Sequence, residues 1–85
     1  MIINAGTGVF AEPSEPALQP AVQTLAQKAF AQKTDAAVRQ FFEKNLATLP
    51  NAQAKVQALT LLADYEQHNG NYSNAADCYR RAAGF

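Results

Sequence analysis

Few side chains in this sequence are of a type and spacing that could act on a substrate. His68 and Cys78 are the single histidine and the single cysteine. A thiol–imidazole nucleophile needs a third group to orient it, and two ligands do not make a zinc site. Asp64 and Glu66 are two positions apart in a helical stretch and do not face each other. Arg80-Arg81 near a helix C-terminus complements the dipole there. Gly6-x-Gly8-x-x-Ala11 formally matches a dinucleotide-binding fingerprint. That chemistry requires a helix N-terminus at the pyrophosphate, whereas Glu12-Pro13-Ser14-Glu15-Pro16 follows here. Without Gly-Lys-Ser/Thr there is no phosphate-binding loop either. The expectation is a protein that is not an enzyme and holds neither cofactor nor metal.

Composition narrows the classes further. Seven basic and seven acidic residues cancel in a chain of 85, which argues against a nucleic-acid binder, where a basic stripe is the rule. An apolar share of 48% against 16% charged residues is too hydrophobic for a disordered charged tail. One cysteine cannot form an internal disulfide, so a stapled secreted mini-protein is excluded. The N-terminal stretch Met1–Ala11 lacks a basic region, and Gly6 and Gly8 interrupt its apolar run, unlike a secretory signal. No apolar run approaches the roughly 20 residues of a membrane span. A cytoplasmic protein without membrane contact is expected.

The elements that position these side chains begin after residue 19. Residues 1–19 hold Gly6, Gly8, Pro13 and Pro16, and only Ile2, Ile3, Val9, Phe10 and Leu18 could pack. Prolines at this density favour extended backbone and remove amide donors. A flexible arm is expected there, with a helical domain over 20–85. Pro20 suits a helix first turn, and Val22, Leu25, Ala26, Ala29 and Phe30 follow on one face. A second stripe comprises Val38, Phe41, Phe42, Leu46 and Leu49, closed by Pro50. At about 100° per residue the two stripes of one continuous helix would point in nearly opposite directions. A break near Lys33-Thr34 resolves this, with Thr34 as N-cap and Asp35 favouring the dipole. Asn51 caps a third helix carrying Val56, Leu59, Leu62 and Ala63 inward, with Leu61 and Tyr65 to one side. Asn69-Gly70 suits its left-handed C-terminal cap. A fourth helix is expected from Ser73, with Ala75, Ala76, Tyr79, Ala82 and Ala83 on one face and Gly84 at its end.

A shift of 37 residues superposes Val22 on Leu59, Leu25 on Leu62, Ala26 on Ala63, Val38 on Ala75 and Phe42 on Tyr79. The second copy, Leu59-x-x-Leu62-Ala63, then Gly70-x-Tyr72, Ala75, Tyr79 and Ala82, resembles the tetratricopeptide repeat (TPR). Small residues there let helix backbones approach while large ones fill the layer between. Glu66 stands where that family usually has an aromatic. The first copy has Lys33 for the turn glycine and Asn45 for the second alanine, and its spacing exceeds the family period of about 34. The resemblance covers 56–85 clearly and 20–50 in degenerate form. It implies an all-α fold of four helices in two antiparallel helix-turn-helix hairpins.

The resemblance further implies function on a concave face made from the first helix of each hairpin. The family's groove positions fall on Gln23, Gln27 and Phe30 in one copy. In the other they fall on Gln57, Thr60, Asp64 and Gln67, with His68 beside them. This surface is polar, rich in glutamine and nearly uncharged. The lysines and asparagines with which the family clamps a C-terminal carboxylate are missing. Fewer than three repeats rarely suffice for stability. A partner is therefore expected to complete an apolar face: a second copy, another subunit, or the arm. The implied function is a small interaction module, an adaptor or chaperone like those of bacterial secretion systems, holding a partner helix or peptide. The alternative is a structural subunit that self-assembles through its helices. Pro13-Ser-Glu-Pro-Ala-Leu18 is similar to the turn of secretion-needle subunits, without the helix that precedes it there.

Overall fold

Helix boundaries in this chain follow from local hydrogen-bond supply. In the computed structural model, which describes residues 17–85, α1 spans Pro20–Phe30 and α2 spans Asp35–Leu46. α3 spans Ala52–His68 and α4 spans Tyr72–Ala83, with no strand among the described residues. The fold is all-α. The expected arm lies outside the described residues over 1–16, as does Gly6-x-Gly8-x-x-Ala11.

The caps fall where the sequence places them. Thr34 Oγ1 accepts from the Ala37 amide at 3.1 Å, and Asn51 Oδ1 accepts from the Ala54 amide at 2.9 Å. Each supplies an acceptor to a first-turn amide that has none within its helix. At the end of α3, Gly70 adopts φ +80°. The Gly70 amide donates to Gln67 O and the Asn71 amide to Glu66 O, at 3.1 and 2.8 Å. This is the paired closure that a left-handed residue after a helix makes available. α4 begins at Tyr72, one residue before the expected start. Asn71 does not cap it with its side chain, because that amide is turned toward Glu66.

α3 is the central helix: it packs against α1, α2 and most extensively α4, while α1 also packs on α2. The core gathers Val22, Leu25, Ala26 and Ala29 from α1, Val38 and Phe42 from α2, and Leu49 beyond it. α3 contributes Ala54, Ala58, Leu62 and Ala63, and α4 contributes Cys78. The alanines let neighbouring backbones approach, and Phe42 and Leu62 fill the space between. The buried face of α4 is Ala75, Cys78 and Ala82. Ala76 and Ala83 lie outside it, and Tyr79 remains 37% exposed. α4 leans on α3 almost alone, so a stripe narrower than the predicted one suffices. Its link to α2 is a paired contact in which Arg81 Nη1 and Nη2 meet the two carboxylate oxygens of Glu43 at 2.6 and 2.8 Å.

Among the described residues, no helix is long and apolar enough to cross a membrane.

Candidate functional site

The seven residues expected to line a groove occur on α1 and α3, and the structure sorts them into three groups. Phe30 and Asp64 come together. With Leu61, Tyr65 and His68 they border an open, mainly apolar groove of about 430 Å³. The Phe30 ring meets Phe42 edge-on at 5.5 Å between centroids and lies tilted against Tyr65 at 5.3 Å. Such edge and tilted contacts suit the ring quadrupoles and hold Phe30 in place while one side stays exposed.

Tyrosine–carboxylate bonds brace this groove. The Tyr65 hydroxyl donates to Asp35 in the first turn of α2, and the Tyr79 hydroxyl donates to Asp64. Donation to Asp35, together with some desolvation, raises the Tyr65 phenol above its ordinary value. The hydrogen bond to Asp64 does the same for Tyr79. A phenol that donates to a carboxylate resists ionisation, because loss of the proton would leave two anions facing each other. His68 Nδ1 lies 2.9 Å from the Asp64 carbonyl, one helical turn back, so the ring is anchored to its own helix.

Gln57 stands apart. It is only 8% exposed, and its side chain is engaged by the chain's own backbone. The Gln19 amide donates to Gln57 Oε1 at 3.0 Å, and Gln57 Nε2 donates to Ala17 O at 3.1 Å. Gln23 joins it by donating from Nε2 to Leu18 O at 3.0 Å. The Gln19 side chain donates to Asn51 Oδ1 and accepts from Asn51 Nδ2, at 3.1 and 3.2 Å. Residues 17–19 are thus fixed across the start of α3.

The remaining three residues join neither group closely. Gln27 is exposed on α1. Thr60 donates to Val56 O at 2.8 Å and is satisfied within its own helix. Gln67 Oε1 accepts from the Tyr79 hydroxyl at 3.3 Å.

Sequence reasoning set Leu61 and Tyr65 to one side of α3; the structure makes that side the groove floor. The signal was available: 61, 64, 65 and 68 share a helical face. The burial of Gln57 had no such signal, because nothing in the sequence indicates what its amide meets. A second groove, of about 340 Å³, opens between α1 and α2 beside Leu25, Phe41 and Asn45. Among the described residues, no group of three or more acidic, histidine or cysteine side chains could hold a metal ion.

Compared with known proteins, the chain matches no family model, no curated protein and no solved structure.

Proposed function

We propose that this chain is a protein–protein interaction module that holds a partner helix or peptide on the face shared by α1 and α3. The observation that carries the reading is the groove of Phe30, Leu61 and Tyr65 edged by Asp64 and His68. An apolar floor with a few polar groups at its rim suits one apolar side chain of a partner and the backbone beside it. Two antiparallel tetratricopeptide-like hairpins are the architecture proposed for it. Buried Leu59 and Leu62, small Ala63, Ala75 and Ala82, and Gly70 in the left-handed turn support that reading. An adaptor or chaperone-like role in the cytoplasm follows, with Cys78 kept as a buried thiol. No catalytic step belongs to it.

Self-assembly as a structural subunit is the second reading. The exposed rings of Tyr72 and Phe85, at the two ends of α4, favour it. One experiment separates the two. Tagged wild-type and Phe30→Asp proteins are recovered from the native host, their co-purifying proteins identified, and their mass measured by sedimentation. A discrete partner held by wild type and lost from the variant supports the module. Identical partners on both proteins would overturn it, and a concentration-dependent homo-oligomer without another protein supports self-assembly.

A further inference from the structure

The chain enters α1 through Gln19, whose backbone is extended at φ −67° and ψ 149°. In an extended chain, the carbonyl of one residue and the amide two positions later point to the same edge. The Gln57 carboxamide takes both, Ala17 O with its Nε2 and the Gln19 amide with its Oε1. A carboxamide carries one acceptor and a donor in one plane, as a peptide group does. Gln57 therefore acts as a single rung of a β-ladder supplied by a helix. On the opposite edge, Gln23 donates to Leu18 O. Between the two edges the Leu18 side chain packs, half-buried, against the hydrophobic core.

Each of these contacts is one that an extended segment of any sequence could make, apart from the leucine-sized side chain. Backbone pairing supplies affinity and a side-chain pocket supplies selectivity, which is the general logic of extended-peptide recognition. We infer that the Gln57–Gln23 site is a reader of extended backbone, and that residues 17–19 are its intramolecular occupant. The exchanging ligand is an extended segment with a leucine-sized side chain between the two paired backbone groups. Such a segment gains access when residues 17–19 leave. This inference rests on the proposed peptide-holding role and specifies the partner's conformation at one end of the α1–α3 face.

The test uses the full chain and a fluorescein-labelled synthetic peptide with the sequence of residues 15–20. Leu18→Asp removes the apolar anchor of the strap, and Gln19→Pro removes the amide that Gln57 receives. Helicity and urea midpoint establish that each variant is folded. Fluorescence anisotropy should show the peptide binding at least one of these variants about tenfold or more tightly than wild type. Adding Gln57→Ala to the same variant should abolish that gain. Equal binding to wild type and both folded release variants, or a gain that survives Gln57→Ala, overturns the inference. The readout is independent of the partner experiment. Loss of a native partner on Phe30→Asp with no peptide gain on strap release defeats this inference alone. Peptide gain with partners indifferent to Phe30 defeats the groove reading alone.

Discussion

Arg39 of α2 brings its Nε to 3.4 Å from Oε2 of Glu66, a carboxylate on α3 with no exposed surface. The other carboxylate oxygen, Oε1, accepts from Asn71 Nδ2 at 2.9 Å, while Oε2 makes no hydrogen bond among the described residues. The charge of Arg39 is thus the main compensation for that oxygen. Replacing one member of a buried pair strands the other, whereas replacing both with apolar groups can be nearly neutral. Arg39 is partly exposed, which tempers the effect. Arg39→Met is expected to cost about 2 kcal/mol, and Arg39→Met with Glu66→Met to cost less than that single change. Urea denaturation of the three proteins checks it, and a double variant weaker than Arg39→Met defeats it.

Gly70 has open space around a would-be Cβ, so its positive φ alone decides the effect of substitution. Gly70→Ala should destabilise by about 1 kcal/mol, and Gly70→Asn by less, since asparagine tolerates the left-handed region. Thermal midpoints of the two variants, in that order, are the check.

The two side-chain caps are not equivalent. Thr34 serves only the Ala37 amide, while Asn51 serves Ala54 and also pairs with Gln19. Thr34→Ala should cost about 1 kcal/mol. Asn51→Ala should cost more, and it should also increase protease cleavage between residues 17 and 19. Equal losses in urea would mean that the Gln19 contact contributes nothing.

Tyr65 and Tyr79 titrate above the ordinary phenol value because each donates to a carboxylate. A group whose folded pKa is raised contributes its stability fully below the unfolded value, near 10 for tyrosine. That contribution disappears as pH rises through the higher folded value. Wild type should therefore lose stability above about pH 10 more steeply than the Tyr65→Phe, Tyr79→Phe double variant. Urea midpoints measured at increasing alkaline pH give the comparison, and parallel curves would exclude the effect.

Burial first, and the nearby Glu43 carboxylate next, push the Cys78 thiol up. The nucleophile in thiol exchange is the thiolate, so a buried thiol with a raised pKa reacts slowly. Ellman's reagent at neutral pH should label Cys78 at least about tenfold more slowly in the native protein than in urea. Glu43→Ala, which removes that carboxylate and its link to α4, should speed native labelling without changing the rate in urea.

Much of the fold was legible in the residues. Pro20, Thr34, Asn51 and Gly70 each supply a local answer to a helix end, and local hydrogen-bond supply is a short-range property. Most of the apolar stripes of α1, α2 and α3 were legible for the same reason, since periodicity depends only on helix geometry, but Val56 stays half-buried outside the core and Phe30 is 42% exposed. On α4, Tyr79 and Cys78 are neighbours on the helix, and which of them turns inward depends on where α3 lies. The groove was legible in part: Phe30 and Asp64 carry the expected positions, but Leu61 and Tyr65 became its floor through packing against α1.

The sequence by itself therefore determined an all-α chain of four helices, the starts of three of them and most of three apolar faces. Only the tertiary structure decided what the polar residues meet. Gln57 holds residues 17–19, and Glu66 is buried beside Arg39, twenty-seven positions away in the chain. Apolar burial follows from period and is non-directional, so a pattern suffices to foresee it. A buried polar group requires a partner at a defined distance and angle, and that geometry exists only once the helices are assembled.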